Sequence, residues 1–345
     1  IVEVFVLRQI LCLADGLLIA FFILTSSNQN KRINHMKKLT FFAGILSAAT
    51  SVFALTLTVA PKANAANVKA VDTVVIIDES GSMGGEQSWI QQVIPNLESA
   101  FKAAGFGAGA DSNNYGLVGF GGGGSGNLGR TLTANGNQLF GAGDFATAAS
   151  QLVTSGGFED GYSAIDYTFN NYNFRSGAVK NFILVTDEDR DNGNNALTSQ
   201  NILNRLQNSG TLLNAVVSAS FQDGNGNISL GIDSKGTAYL ADGSGGFNKN
   251  AGGTAISGFG TTIPDYVNVA LSTRGAAWDL NQLRQGGNLA QSFSNGFIDV
   301  KVQEVSTPPK EVPEPLSILG TLTAGAFGAK FMKKRKKMQA AKSEA

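Results

Sequence analysis

Apolar residues are unevenly spread along this chain of 345 residues. Three long apolar stretches, Ile10 to Leu24, Leu39 to Ala60 and Leu316 to Met332, lie towards its two ends. Between Ala66 and Glu311 the pattern changes to short apolar runs alternating with helical periodicities. Thr73 to Ile77 (TVVII) is continuous and apolar, as expected of a central strand covered on both faces. Trp89, Ile90, Val93, Ile94, Leu97 and Phe101 then recur at helical spacing, with Pro95 a source of a kink. Further strands are predicted at Tyr115 to Phe120, Asn181 to Thr186, Leu212 to Val217 and Tyr266 to Leu271. Helices are predicted at Gly161 to Phe169 and Leu197 to Gln207. In the closing run, Ile298, Val300 and Val302 alternate with Asp299 and Lys301, which predicts a half-exposed edge strand over Phe297 to Val302. Strands alternating with helices predict a Rossmann-like, doubly wound, mostly parallel α/β sheet flanked by helices.

Two glycine-rich regions interrupt that pattern. Gly121-x-Gly123-x-x-Gly126 follows a strand with the spacing of a dinucleotide fingerprint. No helical pattern comes after it, so the stretch is read as a flexible connection to an edge strand. Phe221 to Thr262 is dense in Gly, Asn and Ser and is expected to be a long surface insertion.

Charge sharpens the picture. The chain carries 26 basic and 26 acidic residues, yet Ala66 to Glu311 holds 13 Lys plus Arg against 22 Asp plus Glu, a net of −9. An acidic body argues against nucleic acid, whose phosphates need a basic footprint. The balancing positive charge sits in the flanks, at Lys37 and Lys38 and in the run from Lys333 to Lys337. From Met36 the order is two lysines, an apolar run, then Ala63-Asn64-Ala65 as a small-x-small cleavage site. Residues 36–65 are therefore expected to be a signal peptide, with an uncleaved transmembrane helix as the alternative for Leu39 to Ala60. Residues 1–35 are expected to be a wrongly assigned start. The single Cys12 and single His35 both precede Met36. Translation from Met36 would leave no Cys nucleophile, no Ser-His triad and no Cys/His zinc site, so no enzyme is expected.

The chemistry concentrates after the first strand, in Asp78-Glu79-Ser80-Gly81-Ser82. Residues two apart point the same way in extended chain, so Asp78, Ser80 and Ser82 can converge. Their oxygens are hard donors suited to Mg²⁺, Mn²⁺ or Ca²⁺. Ligands of open α/β sheets also bind beyond the carboxyl ends of the strands. The alternative for these three residues is a helix N-cap. Two further groups, Asp187 with Asp189 and Asp191, and Asp223 to Asn227, hint at calcium; neither fits an EF-hand loop, and solvated loop residues are expected.

The run VDTVVIIDESGSM, Val71 to Met83, resembles the first metal-binding loop of von Willebrand factor A domains. A second strand, NFILVT, ends at Asp187, where that family places a late metal-site aspartate. The resemblance spans about Val71 to Val302 and implies a metal-dependent adhesion site (MIDAS) in a domain over residues 66–305. The family's usual Thr is missing: the turn from Thr154 to Gly161 has Phe158 in its place. Glu159, Asp160 or Thr154 could supply that oxygen, and Glu159 is preferred. The implied ligand set is Asp78, Ser80, Ser82, Glu159 and Asp187 around a divalent cation, Mg²⁺ foremost.

Residues 306–345 begin with a Pro-rich linker. Then come Pro313-Glu314-Pro315, the apolar segment 316–332 and a basic tail. This order resembles the PEP-CTERM sorting signal of Gram-negative and cyanobacterial envelope proteins. It implies one transmembrane helix and processing by an exosortase; a plain single-pass anchor is the alternative. The expected function is that of an exported, surface or matrix protein binding a partner's carboxylate through the cation. The alternative is a structural matrix protein whose metal only ties loops.

Overall fold

The computed structural model describes residues 70–109, 111–123 and 127–307. Strand β1 (Val71–Asp78) is buried along its whole length. It lies between β2 (Asn114–Phe120) and β4 (Val179–Thr186), parallel to both. β5 (Thr211–Val217) and the short β12 (Ala276–Asp279) extend this parallel core. Antiparallel strands flank it: β3 (Arg130–Leu132) on one side, and β8 (Gly231–Asp233), β9 (Thr237–Ala241) and β10 (Phe247–Ala251) on the other. The nine strands run β10-β9-β8-β12-β5-β4-β1-β2-β3, and β11 (Thr254–Gly258), β6 (Ala219–Gln222) and β7 (Ile228–Ser229) form a second sheet. This is the expected mostly parallel, doubly wound sheet.

Because successive side chains on a strand point to opposite faces, β1 feeds two cores. Val71, Val75 and Ile77 pack with Ile90, Val93, Ile94 and Leu97 of helix α1 (Gly84–Ala103), which runs continuously through Pro95. A short α2 (Phe145–Ala149) adds Phe145 to this layer. Val74 and Ile76 face the opposite layer, among Tyr162 and Ile165 of α3 (Gly161–Asn171) and Ile202 and Leu206 of α4 (Ser199–Asn208). That layer also contains α5 (Asn268–Ser272), and α6 (Leu280–Arg284) follows β12 directly.

The closing segment departs from expectation. Phe297 to Val302 is no edge strand; it lies inside α7 (Gly287–Val305). Three alternations are too few to separate the two periods. Phe293, Phe297 and Val300, at i, i+4 and i+7, are the buried set. Phe293 and Phe297 each stand edge-on to Trp89 and Trp278, with centroids 5.4–5.6 Å apart. Tyr266 to Leu271 is also helical, running from a π-turn (Ile263–Val267) into α5. A continuous apolar run does not distinguish a buried helix from a buried strand. Phe221 to Thr262 is not a loop insertion either. Its glycines turn between β6 and β11, while Phe221, Leu230, Ile232 and Tyr239 are buried. The membrane expectation is corrected too: among the described residues no helix is long and apolar enough to cross a membrane. Leu39 to Ala60 and Leu316 to Met332 lie outside the described residues.

Helix α7 also carries a buried ion pair. Lys301 is fully buried and pairs with Glu304, which accepts a 3.0 Å hydrogen bond from Asn214 Nδ2 on β5. Removing one partner of such a pair leaves an uncompensated charge. Lys301→Met should therefore cost about 3–5 kcal/mol of stability in urea denaturation. Lys301→Met with Glu304→Gln should recover most of that loss. A double variant no more stable than the single would show that lost packing, and not charge, is responsible.

Candidate functional site

The carboxyl ends of β1 and β4 meet the turn that precedes α3. Asp78 ends β1 with its side chain buried. Its Oδ1 accepts the Ser80 N–H at 2.7 Å, and its Oδ2 accepts the Thr186 hydroxyl at 2.9 Å. The Ser80 and Ser82 hydroxyls lie 3.1 Å apart, and Ser82 donates to Asp187 Oδ1 at 3.1 Å. Asp78, Ser80, Ser82 and Asp187 thus lie together at the ends of β1 and β4. They are not an N-cap: α1 starts at Gly84, and its cap residue, Met83, makes no side-chain capping bond.

Glu79, the intervening residue of the loop, is directed away into its own buried pair. Arg130 donates to both of its oxygens, and the Val153 N–H adds a 2.9 Å bond. Ser155 N donates to Glu79 O at 2.9 Å, so residues 153–155 are fixed against the first loop. Two glycines permit this close contact. Gly156 has φ +136°, and an added Cβ would fall 2.0 Å from the carbonyl oxygen of Gly121. Gly121 has φ +76°, where a Cβ would crowd Asp78 Oδ1 at 3.2 Å and the Glu159 side chain at 3.1 Å. The glycine-rich stretch therefore backs the site and leads into edge strand β3, rather than opening a nucleotide cradle.

The three candidates for the missing oxygen separate clearly. Thr154 is exposed. Asp160 caps α3 through the N–H groups of Tyr162 and Ser163, and is clamped by Arg190 Nε at 2.7 Å. Glu159 is buried beside Asp78, and its Oε2 has no hydrogen-bond partner. Burial, then the charges of Asp78 and Glu188, push its carboxyl up to about 8. Burial likewise raises Asp78 to about 6.

The expected divalent cation, whether Mg²⁺, Mn²⁺ or Ca²⁺, is overturned. Among the described residues no group of three or more His, Cys, Asp or Glu could hold a metal ion. The donor set explains why it does not fit. Both oxygens of Asp78 already accept hydrogen bonds, and Glu159 favours its neutral form. Asp187 Oδ2 is bonded at 2.9 Å by Arg284 Nη2, which also reaches Ser82 O at 3.2 Å. Arg284 Nε holds Glu86 at 2.6 Å. A guanidinium from α6 therefore supplies the positive charge at this edge. Nothing local in the sequence announces Arg284; the last β-strand positions it from 97 residues beyond Asp187.

The remaining acidic groups are structural. Asp189 accepts the Thr261 N–H at 3.0 Å, and Asp191 accepts the Glu159 N–H at 2.8 Å. Asp223 is buried, and accepts Asn225 N, Asn227 N and two Asn amides, all within 2.9 Å.

Residues 72–236 match the family profile of the von Willebrand factor type A domain, and such a domain is present there. Domains of this type mediate protein–protein interaction and are not catalytic. Comparison with curated proteins finds no match. Among solved structures, the chain is similar to the pilus adhesin SpaC of Lactobacillus rhamnosus GG, at 18% identity and a TM-score of 0.33. That alignment covers 44% of this chain and 25% of the adhesin, so the chain spans about a quarter of the adhesin's length. It is also similar to proximal thread matrix protein 1 of the mussel byssus, at 11% identity and a TM-score of 0.42, covering 68% of this chain and 46% of that one. An aerotolerance-related membrane protein of Bacteroides fragilis aligns at 15% identity and a TM-score of 0.36, covering 68% and 98%.

The buried carboxyls set a pH dependence. Asp78 and Glu159 titrate in the fold at about 6 and about 8, above their ordinary 3.8 and 4.5. Between those limits the folded state keeps protons that the unfolded chain has released, so stability falls as pH rises. The thermal midpoint should be higher at about pH 5 than at about pH 8. Glu159→Gln, neutral at every pH, should flatten the fall and raise the midpoint by about 2–4 °C at the alkaline end. A wild-type midpoint that climbs over this range would contradict the assignment.

Proposed function

We propose that the chain is an exported protein whose von Willebrand factor type A domain binds another protein through the loops at the carboxyl end of its parallel sheet. The observation that carries this reading is the joining of the first loop, the end of β4 and α6 by Ser82, Asp187 and Arg284. Such bridging gives a mobile edge one fixed shape, which lowers the ordering cost of binding. A partner carboxylate completing a metal's coordination falls with the metal. The edge instead carries the exposed Glu188, and Leu128 and Val153 are exposed apolar side chains on the neighbouring loops. A partner with a basic or neutral surface and apolar neighbours complements it.

Export is part of the proposal. It rests on Lys37-Lys38, the apolar run from Leu39 and Ala63-Asn64-Ala65, and places the mature N-terminus near Ala66. Pro313-Glu314-Pro315 followed by a basic tail supports processing near that motif by an exosortase-type enzyme. The working form is then a surface or matrix protein.

Two experiments test these parts separately. A photo-crosslinking residue at Ser82 or Glu188 should give a discrete adduct, unaffected by a chelator. The same residue at Asn248, on the far edge strand β10, should give none. Identical adducts from all three positions would remove the edge as the binding face. For export, N-terminal sequencing of the secreted protein should begin near Ala66, and an epitope after Ala345 should separate from the body. Peptides from residues 1–34 in the mature protein would overturn that part.

A further inference from the structure

On the face of the domain formed by α3 and α4, away from the crevice, an open groove of about 600 Å³ is lined by Phe169, Asn201, Asn204, Arg205, Asn208 and Ser209. Asn201, Asn204 and Asn208 are exposed and lie at i, i+3 and i+7 of α4, which puts them in one stripe. Asn is a poor helix former, because its side chain competes for backbone hydrogen bonds. A stripe kept only for solubility would be better served by Lys or Glu, and α4 has neither. The stripe therefore costs its helix more in propensity than Lys or Glu would.

Hydrogen bonds hold two of the three amides in position while leaving part of each free. Asn201 Nδ2 donates to Ala196 O at 2.8 Å, which leaves its Oδ1 as an acceptor. Asn204 Oδ1 accepts from Gln200 Nε2 at 2.8 Å, which leaves its Nδ2 as a donor. The Asn208 amide has no hydrogen-bond partner among the described residues. Arg205 is fixed as well. Its guanidinium lies 4.8 Å above the Phe169 ring, pairs with Asp166 and donates to Asn170 Oδ1 at 2.7 Å. Its charge is therefore neutralised.

We infer that this groove is a binding site for an uncharged, polyhydroxylated ligand, an oligosaccharide or a stretch of neutral polysaccharide. Hydroxyls donate and accept at once, which suits an alternating display of amide acceptors and donors. The Arg205–Asp166 pair removes the net charge that would select an anion or a cation. The stem of Arg205, lying over the Phe169 ring, supplies apolar contact for sugar C–H groups. This site is separate from the protein-binding edge and does not depend on it.

Native affinity electrophoresis of the full chain tests the inference. Gels would contain dextran, hydroxyethyl cellulose or galactomannan, with polygalacturonate as the charged comparison and a plain gel as reference. The chain should be retarded in at least one neutral gel, and Asn204→Ala with Asn208→Ala should weaken that retention about tenfold, the scale of one or two hydrogen bonds. The double variant should melt no lower than wild type, since Ala favours an exposed helix position; misfolding then cannot explain a loss. No retardation in any neutral gel would overturn the inference, and so would retention unchanged by the variant. Stronger retention by polygalacturonate would also overturn it, by assigning the groove to an anion.

Discussion

Carboxylates placed at the buried end of a parallel sheet need a countercharge, and most of this domain's functional edge follows from how that need is met. Asp78, Glu79, Glu86, Glu159 and Asp160 are all buried. Arg130 neutralises Glu79, Arg190 neutralises Asp160, and Arg284 neutralises both Glu86 and Asp187. Asp78 and Glu159 have no such partner, and their carboxyls rise accordingly. Each arginine comes from a different part of the chain, so every neutralisation also ties two loops together.

Arg284 matters most, because it reaches the edge from the far side of the fold. It sits at the end of α6, directly after the last parallel strand, and touches the first loop, α1 and the end of β4. The C-terminal third of the domain, including α7 with its Trp89, Trp278, Phe293 and Phe297 cluster, thereby sets the position of the cation in the crevice. An edge organised by a covalently attached cation needs no ion from solution, and its shape is fixed when the domain folds.

The sequence discloses the parts of this design that depend on local pattern. β1, α1, β2, α3, β4, α4 and β5 were legible because each is either an apolar run of strand length or a clear helical period, with turn signals between them. Asp78, Ser80 and Ser82 were legible because alternate residues at the end of a buried strand point the same way, whereas Asp187 was legible only through the family resemblance. The C-terminal third was not. Tyr266 to Leu271 is apolar but for Asn268 and too short to show a clear period, and six alternating residues in α7 imitated a strand while Phe293, outside that window, carried the helical spacing. β12 is only four residues long. Arg284 and its partners Glu86 and Asp187 are brought together by tertiary structure alone, so the substitution of a guanidinium for a metal left no trace in spacing or composition.

The account is tested most directly by diffraction at the manganese absorption edge, from crystals of the protein grown in Mn²⁺. It predicts no anomalous peak among Asp78, Ser80, Ser82 and Asp187, with the Arg284 guanidinium bonded to Glu86 and Asp187. A manganese peak bound by the two serine hydroxyls, with Arg284 displaced from Asp187, would contradict it.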